Sequence, residues 1–249
     1  MGKVEIGTLL VGLLLGAAEP ASAHVRDYLI TQPYYTTKRG ELEVALYNDM
    51  NFSDADRDES YNSKHQVEVE YGLTDHFQLA YYEVYAWDRE NDWERDALKI
   101  EAKLRLFEAG QLPVDIALYS EYENPNGRQD ARSDVVENKV ILSRDLGPVN
   151  LTGNFVFEKT VNTHSDWEFE YRLGASYGLT PRVRLGLELR ETLGDSDEFG
   201  LRREDHQLQL IPGIYASLTP HLRILVGPAF GLTKASDDLQ LKSLVEWEF

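Results

Sequence analysis

The 249-residue sequence has no cysteine and only two methionines. Without thiols there is no disulfide scaffold, no thiolate metal site and no cysteine nucleophile. Basic charge is also scarce: 25 Lys and Arg stand against 43 Asp and Glu, a formal net charge of −18. Nucleic acid is excluded as a partner on that ground, because binding it requires positive charge to exchange for phosphate counterions. Long hydrophobic runs are missing as well. The longest, Ile6 to Ala18, falls short of the roughly 20 apolar residues that a helical span needs. His24, His65, His76, His164, His206 and His221 show neither HxH nor HExxH spacing, so no metal centre or cofactor is expected.

What is present starts with a leader. One lysine (Lys3), the short apolar run and the small-x-small triplet Ala21-Ser22-Ala23 predict a signal peptide over 1–23, cleaved to leave His24. Residues 24–40 then read as a periplasmic N-terminal segment with three tyrosines, Tyr28, Tyr34 and Tyr35. Folding into the mouth of the domain and lying outside it both fit that stretch.

From Glu41 to Phe249 the pattern is alternation with period two, which predicts strands. Candidates are 41–50, 64–72, 77–87, 97–107, 113–123, 135–144, 149–158, 166–177, 182–193, 205–217, 222–232 and 239–249. Twelve strands of about ten residues have the length that tilted strands need to cross a bilayer. Their connections also alternate. Tight turns such as Gly72-Leu-Thr-Asp-His-Phe77 and Asp145-Leu-Gly-Pro148 interleave with long charged loops such as Asp88-Arg-Glu-Asn-Asp-Trp93. Short turns at one end and long loops at the other predict a twelve-stranded antiparallel up-and-down transmembrane β-barrel, all-β, in a Gram-negative outer membrane.

The two faces of each strand extend this. Aromatics near the turns (Tyr71, Phe77, Tyr177, Trp247, Phe249) and near the loops (Trp87, Trp167) predict two interfacial girdles against lipid and lipopolysaccharide. The opposite parity places Glu41, Glu43, Glu68, Glu70, Glu246 and Glu248 in the interior. It also places Lys99, Glu101, Lys103, Arg105, Arg172, Arg184, Glu188 and Arg190 there. An acidic wall facing a basic one would make a porin-like constriction for a small solute. Pairing that simply fills the lumen fits the same residues. Glu83 and Asn138 break the pattern, falling on lipid parity. The last strand, Leu239–Phe249, is expected to close on the first and to offer its aromatic end to the outer-membrane assembly machinery.

Gly40-Glu-Leu-Glu-Val-Ala-Leu46 and Val67-Glu-Val-Glu-Tyr-Gly-Leu-Thr-Asp-His-Phe-Gln-Leu79 resemble the transporter-type outer-membrane barrels grouped as the "MetA pathway of phenol degradation" family. The turn recurs at Tyr177–Val183 and more loosely at Ser217–Leu222. The resemblance implies an outer-membrane location and passage of small molecules, and it carries over no functional residue.

Enzyme chemistry finds little support. His164-Ser165-Asp166 has triad letters, but adjacent strand residues point to opposite faces. Asn126-Gly-Arg128 resembles a run in the twelve-stranded outer-membrane phospholipase. The places of that enzyme's His and Ser are held here by Glu123 and Pro125. The acidic run Asp54-Ala-Asp56-Arg-Asp58-Glu59 begins like a calcium loop. It lacks the sixth-position Gly and has His65 where the twelfth-position Glu belongs, which rejects an EF-hand. Looser divalent bridging to lipopolysaccharide and plain solvation both fit that loop. The main expectation is a channel or transporter; a structural or scaffold barrel partnering another protein is the alternative.

Overall fold

The computed structural model describes residues 27–52, 61–88, 92–125, 133–161, 166–197, 199–200 and 206–249. The leader, the acidic run 54–59, Asn126-Gly-Arg128 and His164-Ser165 lie outside the described residues. Twelve strands form one closed barrel: β1 (Leu42–Phe52), β2 (Tyr61–Thr74), β3 (Phe77–Asp88), β4 (Asp92–Arg105), β5 (Asp115–Pro125), β6 (Val135–Leu146), β7 (Val149–Thr160), β8 (Glu168–Thr180), β9 (Val183–Asp195), β10 (Leu208–Ser217), β11 (Leu222–Gly231) and β12 (Leu239–Glu248). Every strand pairs antiparallel with its sequence neighbours, and β1 pairs with β12 from Glu43↔Glu248 to Phe52↔Leu239. The Phe249 amide adds a bond to the Leu42 carbonyl at 2.9 Å. No sheet edge is left, the condition for strands in a medium that offers no hydrogen bonds.

Threonine closes three of the tight turns. Thr74, Thr180 and Thr219 each accept, through Oγ1, a backbone N–H two residues on (His76, Arg182 and His221, each at 3.2 Å). The hydroxyl thus replaces a ladder partner where the chain reverses. At Gly147, φ is 63°, a backbone conformation that glycine adopts without steric cost.

The outer surface is apolar. Leu46, Val69, Ile100, Leu151, Phe155, Leu187 and Ile214 are among many large hydrophobic side chains left exposed there. The expected girdle residues Tyr71, Trp167, Tyr177, Trp247 and Phe249 are exposed, while Phe77 and Trp87 are half-buried. Trp93, 61% exposed, joins them from a stretch that the alternation left out of β4.

That omission has a cause. A bulge interrupts the β3–β4 register between Val84 and Tyr85, so that Ala97 pairs with Val84 but Arg95 pairs with Tyr85. The extra residue, Asp96, turns inward to Lys64 (3.3 Å), and the face of every residue before it inverts. Arg95 therefore points outward, where its Nε binds Glu83 at 2.5 Å. Glu83 does face the bilayer, and the bulge across from it supplies its counter-charge. Asn138 also faces outward, between Ser120 and Phe157 in register.

An uncompensated charge on this surface is costly, whereas a paired one is tolerated. Arg95→Leu should lower the urea midpoint of the vesicle-embedded barrel. Adding Glu83→Leu should restore it, as measured by the heat-modifiable gel shift across a urea series.

Candidate functional site

Alternation turns the polar half of each strand into the lining of the interior. Glu43, Glu68, Glu70, Glu101, Lys103, Arg105, Glu188 and Glu246 are buried there, and Glu41, Lys99, Arg172, Arg184, Arg190 and Glu248 are partly buried. Cationic and acidic side chains are not sorted onto facing walls. Lys99 bridges Glu121 (2.9 Å) and Glu123 (2.8 Å), and Lys139 holds Glu137 (2.7 Å) with its ammonium 3.9 Å from the Tyr119 ring centroid. Arg172 joins Glu137 (3.3 Å) to Glu170 (2.5 Å), and Arg190 reaches Glu170 at 2.6 Å. A ladder of alternating charge thus climbs from β4 to β9. Arg223 pairs with Glu246 (2.7 Å) and Glu248 (3.4 Å), and Lys242 with Asp49 (2.8 Å). The two-wall arrangement expected from parity gives way to pairing between neighbouring strands, because a buried charge is stabilised by the nearest opposite charge.

Among the described residues, Glu68, Glu70 and Glu101 bring three buried carboxylates together. Their oxygens lie within 4.8 Å of one another. Hydroxyls meet them: Tyr47 donates to Glu68 (2.6 Å) and Thr37 to Glu70, and the Tyr82 hydroxyl lies between Glu68 and Glu101. Oxygen donors in this arrangement have the chemistry to hold a hard cation.

The N-terminal segment runs inside the barrel. At its start Asp27 pairs with Arg184 (3.1 Å), and Tyr28 donates to Asn150 Oδ1 (2.6 Å). The Glu188 carboxylate then accepts three successive backbone N–H groups, from Leu29 (2.6 Å), Ile30 (2.9 Å) and Thr31 (2.8 Å). It also accepts the Tyr215 hydroxyl at 2.8 Å. Gln32 and Asn154 exchange two bonds, at 2.6 and 3.0 Å. Tyr34 bonds the Phe107 carbonyl, Tyr35 the Asp145 carboxylate (2.6 Å), and Thr37 N–H the Gln78 side chain (2.9 Å). The segment thereby crosses from β8 and β9 to β2 and β3, in the half of the interior nearer the tight turns.

Small residues make room for it. A Cβ on Gly174 would stand 2.5 Å from the Tyr28 ring, and one on Gly227 would stand 3.0 Å from Leu29 Cδ1. Tyr28 and Leu29 pack there with Ala45, Ile211, Tyr215, Leu225, Ala229 and Leu244. This role of Glu188, and those of Lys139, Glu137, Glu170 and Arg223, are not legible in strand parity. Their inward parity was visible; their partners were not.

No family model matches the sequence, and no curated protein sequence matches it significantly. Solved structures do resemble it. An outer membrane channel from Pseudomonas putida F1 superposes with a TM-score of 0.65 at 13% identity, over 87% of this chain and 98% of that one. The KdgM porin follows at 0.60 and 8% identity, over 83% and 99%. The NanC porin gives 0.59 and 8%, over 83% and 98%. The fold is that of the outer-membrane barrels. Its apolar exterior, closed ladder and girdles agree with a place in the Gram-negative outer membrane, against lipid and lipopolysaccharide.

The seating of residues 27–39 can be read with one reporter, since the chain has no native cysteine. Glu188→Ala removes three bonds to a charged acceptor, each worth roughly 1.5–3 kcal/mol. At least about tenfold faster maleimide labelling of a Gln32→Cys variant should follow, because tenfold corresponds to about 1.4 kcal/mol. Gly174→Ala should act in the same direction through Tyr28.

Proposed function

We propose that this barrel is an outer-membrane channel for passive passage of small polar solutes, narrowed on the periplasmic side by residues 27–39. One observation carries the reading. The interior is lined by ionisable and hydroxyl side chains, and the segment occupying it is tied mainly by side-chain hydrogen bonds and packing. Among the described residues, Arg39↔Gly72 is the one isolated bridge between the segment and the wall. A segment held in this way can be displaced without opening the barrel. The KdgM and NanC likenesses support a porin-like role, and the Val67–Leu79 turn supports kinship with the "MetA pathway of phenol degradation" barrels. Assembly would proceed through recognition of β12 by the outer-membrane insertion machinery.

The solute should be neutral or cationic. Among the described residues the buried acids of the interior include Asp27, Glu43, Glu68, Glu70, Asp96, Glu101, Glu121, Glu188 and Glu246, nine against the five buried bases Lys103, Arg105, Lys139, Arg223 and Lys242. With such a surplus the field favours cations. A second reading, a scaffold barrel with a filled lumen, is favoured by the same plug and ladder.

Planar-bilayer recording separates the two. Deletion of 27–39 or Glu188→Ala should enlarge or lengthen conductance steps, and the reversal potential in a KCl gradient should report K⁺ over Cl⁻. Silence from wild type and both variants would replace the channel by the scaffold.

Acidity should favour the seated plug. Burial pushes the Asp27 carboxyl up from 3.8 to about 6, with Arg184 and the Ser176 hydroxyl opposing the rise, Asp145 adding to it and Arg223 lowering it. Seated Asp27 thus holds its proton more tightly than released, hydrated Asp27. This contribution to seating is full below the released value and is lost as pH rises through the seated one. Open probability should be lower at pH 5 than at pH 8, and Asp27→Asn should flatten the difference.

A further inference from the structure

On the outer face of β12, β1 and β2, four polar side chains stand in the wall that meets lipid. Ser63 and His65 are two residues apart on β2 and project to the same side. Asn48 lies opposite His65, and Ser243 lies opposite Asn48. Leu46 and Val67, on the same parity, are exposed at 45% and 36%. The intervening Tyr47 and Glu68 turn inward and bond each other. The four therefore point outward, with Ser63 covered by its neighbours to 6% exposure.

Their contacts form a relay. Ser63 Oγ lies 2.9 Å from His65 Nε2, and His65 Nδ1 lies 2.8 Å from Asn48 Oδ1. Asn48 Nδ2 donates to Ser243 Oγ at 3.4 Å, with the amide oxygen toward the ring. That oxygen can only accept, so it selects the tautomer protonated on Nδ1. The Nε2 lone pair is left facing the Ser63 hydroxyl. Nucleophile, base and orienting carbonyl stand in the order that acyl-transfer triads share, including those with Asn as the third member.

The barrel does not need these side chains. The backbone ladder through β12, β1 and β2 is complete without them, and polar groups at bilayer depth are costly and therefore functional by default. The surroundings suit an acyl chain. Met50 and Trp87 flank Ser63 in register, Trp93 pairs with Trp87, and the Trp93 ring lies 4.8 Å from His65. Ser63 lies two residues from the loop end of β2, beside the aromatic girdle. Such girdles mark the headgroup level of a bilayer, where a lipid's ester groups lie.

We propose that Ser63, His65 and Asn48 form a lipid-facing hydrolase site for long-chain acyl esters of outer-leaflet lipids, separate from the lumen and independent of any conduction. Ser63 Oγ attacks the ester carbonyl carbon as its proton passes to His65 Nε2. The carbonyl–alkoxy bond breaks, and His65 returns the proton to the departing alcohol, leaving Ser63 acylated. Water, deprotonated by the same nitrogen, then releases the fatty acid and restores Ser63. Asn48 is a positioning residue.

The test uses the whole protein folded in detergent micelles. A fluorophosphonate probe should add once per chain, at Ser63 by peptide mass. Ser63→Ala and His65→Ala should abolish labelling while keeping the heat-modifiable gel mobility of the folded barrel. Asn48→Leu should slow labelling, and Asn48→Asp, which still accepts from Nδ1, should rescue it. Fatty acid release is followed in two arms, dioleoylphosphatidylethanolamine micelles and purified lipopolysaccharide. Turnover in either arm supports the proposal and identifies the lipid, with at least about a thousandfold loss in Ser63→Ala. Folded wild type that takes no probe and releases no acid in either arm overturns it, as does labelling at another serine.

Discussion

A strand crossing a bilayer must bond every backbone N–H and C=O to another strand. Once β1 meets β12 along its full length, this chain satisfies the requirement, and the other features follow from the closure. A closed ladder has only two faces. Alternation assigns one to lipid and one to the interior, and the hydrophobic effect assigns leucine, valine and the aromatics to the first. The remaining glutamates, arginines and lysines are enclosed. They are stable only if paired, so an enclosed polar face becomes a network of ion pairs.

That network has two regimes. From β4 to β9, Lys99, Lys139, Arg172 and Arg190 are each matched by a neighbouring carboxylate. Toward β1, β2 and β3 the acids outnumber the bases, and hydroxyls from Tyr47, Tyr82 and Thr37 supply hydrogen bonds in place of cations. The N-terminal segment lies between these regimes. It uses a single carboxylate, Glu188, to satisfy three amides that would otherwise be buried without partners. A buried carboxylate and a run of unpaired amides are each costly alone, and together each removes the other's penalty.

The outer wall shows the same rule from the other side. Where β7 to β11 face lipid, the side chains are hydrocarbon or aromatic over most of their length. Polar groups gather between β12 and β6, and the ionisable ones there are partnered: Glu83 has Arg95, and His65 has Asn48 and Ser63. A charge in lipid, like one in the lumen, persists only with a neighbour to satisfy it.

Parity is a local property, so the sequence alone determined the number of strands, their faces, the turn and loop ends, and which side chains line the interior. It failed at Asp92–Asp96, where the β4 bulge inverts the faces and no residue type marks the inversion. Which charge meets which depended on register between strands distant in sequence, as with Asp49 and Lys242 or Glu137 and Arg172. The tertiary structure alone decided this, and likewise the path of residues 27–39 and the meeting of Ser63, His65 and Asn48. The reason is geometric. Alternation fixes where a side chain points, but only closure of the ladder, with its stagger, fixes what stands beside it.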